Sequence, residues 1–109
     1  MIEVKYTIAE NAPIASGVYR LKLEGDTSAI TAPGQFLDLR LPGFFLRRPI
    51  SICDWDERSV TLLYKVVGGG TDWLSRCTAG QTLDTLSGLG NGFDVAACGK
   101  TTLLCGGGI

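Results

Sequence analysis

Polar and apolar residues alternate along several short segments of the chain, and this alternation is typical of β-strands with one buried face. In segment 36–41, three leucines at every second position alternate with Phe36, Asp38 and Arg40. Segment 18–23 alternates in the same way, and the later segments are rich in residues that favour strands. We therefore predict six strands, over residues 4–9, 18–23, 36–41, 48–54, 59–67 and 81–87.

One short helix is predicted after the fifth strand, from Thr71 to Cys77. Thr71 is expected to act as its N-cap, and Gly80 falls just past its end. Turn residues such as those at 42–43 separate the strands. Six short strands at regular spacing, with one helix, predict an antiparallel barrel whose closure removes exposed edges.

The last part of the chain has the pattern of the start of another domain. Residues 101–105 are an apolar strand candidate, and three glycines follow at 106–108. A buried strand that runs into a glycine-rich turn typically opens a nucleotide-binding α/β domain. We predict that residues 1–97 form the barrel and that 98–109 are a linker with the first strand and turn of an otherwise absent second domain. A frayed tail is the alternative.

Composition narrows the classes of function. The 109 residues fit one domain, and the net charge of −1 provides no basic field for nucleic acid. No apolar run reaches the ~18 residues of a membrane span, and the first residues do not resemble a signal peptide. Cys53, Cys77, Cys98 and Cys105 are expected to be reduced thiols of a cytoplasmic domain. Their spacing fits no iron–sulfur cluster, so no metal site is expected in this chain.

Two neighbouring segments carry residues that bind phosphate. Segment 48–51 combines an arginine, which pairs bidentately with phosphate, with a serine hydroxyl; segment 68–71 combines three glycines with a threonine at a helix start. Lys65 lies between them and adds positive charge. Together they indicate a diphosphate ligand that has a polar ring edge.

Each of these features also has a plain structural interpretation. Arg48 could form a surface ion pair, the glycines could form an ordinary turn, and Lys65 could be a solvated lysine. Strict alternation also places Arg48 and Ser51 on opposite faces of a strand. Both reach one ligand only if it lies across the strand's end or if the backbone twists at Pro49.

The order of the motifs makes the ligand-binding interpretation stronger. Arg-x-x-Ser at 48–51, Tyr64-Lys65 at a strand end, glycines with Thr71, and a Leu-Gly-Asn-Gly-Phe loop at 89–93 follow one another along the chain. This order resembles the FAD-binding domains of the ferredoxin-reductase superfamily. More narrowly, it resembles the electron-transfer subunits of heteromeric, NAD-linked dihydroorotate dehydrogenases.

The resemblance implies an all-β fold, a six-stranded antiparallel Greek-key barrel with one short helix, and FAD as the cofactor. No catalytic residue is assigned, because the flavin carries the redox chemistry. The implied cofactor-binding residues are Arg48, Pro49, Ile50, Ser51, Leu63, Tyr64, Lys65, Gly70 and Thr71.

These residues have three implied roles. Arg48, Thr71 and the Gly70 backbone would hold the diphosphate. Residues 49–51 would line the isoalloxazine, with the Ser51 hydroxyl near the flavin N5. Residues 63–65 would support the ribityl and phosphate region. Many relatives have an aromatic residue where this chain has Ile50, which leaves ring stacking to another residue.

The resemblance also implies a role in a larger assembly. The function would be electron transfer between NAD(H) and an iron–sulfur relay that serves dihydroorotate oxidation in pyrimidine biosynthesis, with the catalytic dihydroorotate dehydrogenase subunit as partner. NAD and the [2Fe–2S] cluster are expected only in the missing C-terminal part. The chain alone is therefore not expected to complete NADH-driven turnover.

Three alternatives stay open at the level of sequence. The chain could be another ferredoxin-reductase-type flavoprotein, or a barrel for a different diphosphate. It could also be a non-catalytic interaction module, with Phe44, Phe45 and Leu46 forming a docking loop.

Overall fold

The computed structural model describes residues 1–93, 99–103 and 105–106. Within these ranges it contains six strands and one helix. The strands are β1 (Ile2–Ala15), β2 (Val18–Glu24), β3 (Phe36–Leu39), β4 (Arg48–Trp55), β5 (Ser59–Lys65) and β6 (Thr82–Leu89); the helix, α1, spans Gly69–Ser75.

The six strands form a closed barrel in the order β1-β2-β5-β4-β3-β6. Every neighbouring pair is antiparallel. Because β2 pairs with β5 and β3 with β6, the chain crosses between non-consecutive strands in a Greek-key manner. The predicted all-β antiparallel barrel with one short helix is confirmed.

The core lies inside the barrel and follows the predicted alternation. Leu37 and Leu39 of β3, and Leu21 and Leu23 of β2, have no exposed surface. Burying a side chain of this size contributes about 1.5–3 kcal/mol relative to leaving it in water. The other fully or almost fully buried large side chains are Tyr6, Ile8, Leu41, Val60, Leu62, Leu74 and Leu83.

The first strand is longer than its sequence pattern predicted. It continues from the predicted end at residue 9 to Ala15, and its two halves pair with different strands, β6 and then β2. The register shifts between Ile8 and Glu10, which marks a bulge. A bulge breaks the two-residue period, so alternation alone could not find the second half.

The predicted start of the helix was wrong. The helix begins at Gly69 with Gly68 as its N-cap, and no side chain caps it there. Thr71 lies in the first turn instead. Its hydroxyl accepts a hydrogen bond from the Val67 N–H at 2.8 Å and donates to the Gly68 carbonyl at 3.3 Å. Thr71 therefore holds the glycine segment against the end of β5.

Two further sequence predictions concern the domain boundary near the C-terminus and membrane-spanning segments. The predicted domain boundary between residues 97 and 98 and most of the glycine-rich turn lie outside the described residues, so the second domain stays a prediction. Among the described residues, no helix is long and apolar enough to cross a membrane.

Candidate functional site

A groove opens on the barrel where β4 and β5 separate. The first half of β4, Arg48 to Ser51, pairs only with β3, and β4 begins to pair with β5 at Ile52, opposite Leu62. The last residues of β5 continue past this point, paired on their other side with β2. The two strands thus form the sides of an opening of about 350 Å³.

The groove brings together residues that are distant in sequence. Its lining consists of Arg48, Pro49, Ile50, Ser51, Leu63, Tyr64, Lys65, Val67 and Thr71. Eight of the nine residues predicted from sequence are in this set, and the ninth, Gly70, packs against the Arg48 side chain. Val67 also lines the groove. The sequence did not single it out, because it is one of several apolar residues at the end of a predicted strand.

The position of β4 explains how Arg48 and Ser51 reach one groove. Arg48 and Ile50 are partly buried, whereas Pro49 and Ser51 are exposed, as alternation requires. Because β4 has no neighbour on its β5 side here, both of its faces border the opening. Pro49 is the second residue of the strand, close to where a residue without an N–H is tolerated.

The Arg48 guanidinium is held in place without an acidic partner. Its Nη1 donates to the Leu46 carbonyl at 2.6 Å, and its Cζ lies 5.7 Å from the centre of the Phe44 ring. Within the described part of the chain, no carboxylate lies within 4.0 Å of it. The surface ion pair considered from sequence is therefore not formed with any described residue, and the guanidinium can face an anion.

Glycine at position 70 permits this arrangement. A Cβ added to Gly70 would lie 2.7 Å from Arg48 Nε and 3.0 Å from its Nη2, closer than real Cβ atoms approach. At Gly69 a Cβ would stand 3.3 Å from Phe44 Cε1. The backbone of the first turn of α1 thus packs directly against the Arg48 and Phe44 side chains, and a Cβ at residue 70 would require the Arg48 guanidinium to move.

Thr71 shapes the groove rather than presenting a free hydroxyl to it. The Thr71 side chain is buried, and its proton is directed to the Gly68 carbonyl. The backbone N–H groups of the first helical turn have no carbonyl partners within the helix. They are therefore the donors that this segment offers to a ligand.

Two polar residues of the groove lining are exposed to solvent, whereas Tyr64 is buried. Lys65 and Ser51 are exposed, and in the part of the chain that the structure describes neither side chain has a hydrogen-bond or ion-pair partner. Tyr64 points inward, stacks on Tyr19 with ring centres 5.6 Å apart, and donates to Asn11 Oδ1 at 2.9 Å. Burial raises the pKa of Tyr64 to about 12.

The charge of the groove suits a diphosphate. Among the residues that the structure describes, its lining includes two cations, Arg48 and Lys65, and no carboxylate. Asp72, the acidic residue nearest in sequence, pairs instead with Arg76 on the outside of α1. With an exposed hydroxyl on Ser51 and apolar walls from Ile50 and its neighbours, the donor set matches a ligand that joins a diphosphate to a ring system.

Known proteins were compared with the chain. No family model matches the sequence. The electron transfer subunit of dihydroorotate dehydrogenase B (NAD(+)) from Listeria monocytogenes serotype 4a is 43% identical over 115 residues, covering 100% of this chain and 45% of that protein. The same subunit from Geobacillus sp. strain WCH70 is 41% identical over 117 residues, covering 100% of this chain and 46% of that protein.

A solved structure is similar to the barrel. It is an NADH-dependent reduced ferredoxin-NADP oxidoreductase studied for flavin-based electron bifurcation, with a TM-score of 0.74 and 30% identity over 82% of this chain and 34% of the other. The fold matches the ferredoxin-reductase-like FAD-binding barrel. Over its whole length the chain resembles the electron transfer subunits of NAD-linked dihydroorotate dehydrogenase B, as its motifs predicted. It spans about half the length of these curated relatives.

Proposed function

We propose that the chain is the FAD-binding barrel of a subunit that passes electrons between NAD(H) and an iron–sulfur relay serving dihydroorotate oxidation in pyrimidine biosynthesis. The groove between β4 and β5 carries this proposal, because it gathers two cations and a hydroxyl that have no ion-pair or side-chain partner among the described residues' carboxylates, together with a close-packed glycine turn. The names of the curated relatives support the assignment to dihydroorotate oxidation.

The residues of the groove would share the work of holding FAD. Arg48 and the first turn of α1, with Gly70 and Thr71, would bind the diphosphate, assisted by Lys65. Residues 49–51 would line the isoalloxazine, and the Ser51 hydroxyl would be the donor for its polar edge. Leu63 and Tyr64 would support the ribityl chain.

The protein's contribution to the chemistry would be binding and orientation. Bound FAD would supply the exchange between hydride and single electrons. Among the residues that the structure describes, the groove lining contains no histidine, carboxylate or cysteine. Its positive charge would favour reduced, more negative forms of the cofactor.

The rest of the assembly is also part of the proposal. NAD and a [2Fe–2S] cluster would be bound by further parts of the full-length subunit, and the catalytic dihydroorotate dehydrogenase subunit would be the partner. We expect the full-length subunit to be located in the cytoplasm. Phe45 and Leu46, beside the groove, are 99% and 66% exposed and provide an apolar contact for a partner.

Flavin titration tests the central claim. Purified chain should bind FAD with a stoichiometry of one, show an oxidised-flavin absorption spectrum and lose it on adding dithionite. ADP and FMN serve as partial ligands. ADP binding as tight as that of FAD would favour a barrel for a different diphosphate, and a protein that rejects all three would overturn the proposal.

A further inference from the structure

Asn11 connects two walls of the groove without lining it. Its Nδ2 donates to the Leu74 carbonyl at 2.8 Å and to the Cys77 carbonyl at 3.0 Å, at the end of α1. Its Oδ1 accepts a hydrogen bond from the Tyr64 hydroxyl at 2.9 Å. One side chain of β1 thus links the helix to β5, although its partners lie 53 to 66 residues away in sequence.

The chemistry of the partners determines the orientation of the amide. Carbonyl oxygens only accept hydrogen bonds, so the atom that faces Leu74 and Cys77 must be the NH₂ group. Oδ1 then faces Tyr64, whose hydroxyl must donate. Both amide hydrogens are used, and no other residue type of this size provides two donors and one acceptor in this geometry.

The helix depends on such an external contact. With seven residues and no side-chain N-cap, α1 is too short to be stable alone. The Leu74 carbonyl accepts the Cys77 N–H at 3.0 Å, and Asn11 gives it a second donor while also donating to the carbonyl of Cys77 just beyond the helix. The buried Leu74 anchors the helix in the core, whereas Asn11 sets its position relative to β5.

We propose that Asn11 is a positioning residue for flavin binding. By fixing the end of α1 relative to Tyr64 of β5, it holds in place the helix whose first turn packs Gly70 against Arg48. This inference rests on the proposed function, since it concerns the same site. Its effect on FAD acts through helix α1 and Tyr64, because Asn11 is not part of the groove lining.

The test is the nearly isosteric variant Asn11→Asp. It keeps an acceptor for Tyr64 but places a carboxylate oxygen opposite two carbonyls. We expect FAD binding to weaken about tenfold, which corresponds to ~1.4 kcal/mol. Trp73 lies in α1 and is partly buried against the core, so its emission in a Trp55→Phe background should also shift before any flavin is added.

Two control variants isolate the positioning effect. Gln81→Glu makes the same amide-to-carboxylate change at an exposed residue and keeps the acceptor for the Thr78 N–H, and Leu83→Ala removes core packing on β6; neither residue lines the groove. Both should bind FAD within about twofold of the unsubstituted chain under conditions in which circular dichroism shows them folded. A loss as large in either control as in Asn11→Asp would overturn the proposal.

The remaining outcomes separate the two claims. If the unsubstituted chain does not bind FAD, the proposed function fails. If it binds and folded Asn11→Asp binds equally well, only the positioning role fails. Should Asn11→Asp not fold, Tyr64→Phe removes just the link to β5. It should weaken FAD binding about threefold with Trp73 emission unchanged, and an unchanged affinity would reject the role of Asn11.

Discussion

The Arg48 guanidinium lies against the Cα of Gly70, so that a Cβ at residue 70 would stand 2.7 Å from Nε. Arg48 is also tied to the Leu46 carbonyl and packed against Phe44. A side chain at residue 70 would therefore force the guanidinium to shift. The position seen here depends on a glycine that follows Arg48 by 22 residues in the sequence.

Gly70→Ala should displace Arg48 and weaken FAD binding by about tenfold or more. Alanine favours the helix by up to ~1 kcal/mol over glycine, so the free energy of unfolding should change little. Titration with FAD and urea unfolding of the same samples measure both effects. Gly68→Ala is the matched control, because a Cβ there meets no atom within 4 Å and its φ of 176° is extended backbone. Equal losses in both variants would contradict the importance of the Arg48–Gly70 contact.

Arg48→Ala should weaken FAD binding more than tenfold, since a charge-assisted hydrogen bond contributes roughly 1.5–3 kcal/mol. The loss should shrink as salt concentration rises, because part of the interaction is electrostatic. Arg47→Ala provides the control: its guanidinium faces the Asp38 carbonyl and Glu3, away from the groove lining. An unchanged FAD titration for Arg48→Ala would remove this residue from the site.

Ser51→Ala should change the redox properties of bound flavin more than its affinity. Loss of one hydrogen bond to the ring, worth ~0.5–1.5 kcal/mol, corresponds to a shift of roughly 10–30 mV for a two-electron couple. Cys53→Ala, the next outward residue of β4, is exposed and does not line the groove. Spectroelectrochemistry of the FAD-loaded proteins compares the two, and identical potentials for Ser51→Ala and the unsubstituted chain would rule out the contact.

Phe45→Asp should abolish association with the catalytic dihydroorotate dehydrogenase subunit and leave flavin content intact. The Phe45 side chain is 99% exposed, so its replacement should not affect folding. Native mass spectrometry of the mixed subunits detects the complex. Ile14→Asp, a change at another exposed apolar residue on β1, serves as control. A complex that survives Phe45→Asp would exclude this loop as the contact.

Tyr64 should make the protein less stable at high pH. Burial raises its folded-state pKa to about 12, above the ordinary value of 10.0, so the unfolded chain loses this proton first. The stabilisation is complete below pH ~10 and is lost as the pH rises towards 12. Urea unfolding between pH 8 and 12 should show a steeper decline for the unsubstituted chain than for Tyr64→Phe. Parallel declines would show that the Tyr64 hydroxyl does not control this range.

The strands were predictable because their alternation is a local property. Leu37 and Leu39 face inward as predicted from spacing alone. The predictions failed for two different reasons. The second half of β1 follows a bulge and pairs with β2, which breaks the local period. The helix begins two residues before Thr71, whose hydroxyl bonds back to Val67 from within the first turn instead of capping the helix.

The residues that line the groove could be predicted from the sequence, but the shape of the groove could not. The motif order singled out Arg48, Ser51, Lys65 and Gly70, whose chemistry is carried by the side chains or by the lack of one. Asn11 had no such signal. A single asparagine between Glu10 and Ala12 becomes informative only when the fold places the Leu74 and Cys77 carbonyls and the Tyr64 hydroxyl within hydrogen-bond distance of it.

By itself, the sequence determined which residues face the core and which chemical groups are available for a diphosphate and a ring, because residue type and local period specify both. Only the tertiary structure decided that β4 and β5 separate at Ile52 and that Arg48 rests on Gly70. These features depend on strand register and on backbone approach between distant segments. Both features are stabilised by strand pairing and side-chain packing across the whole barrel, and a local sequence pattern contains no information about either.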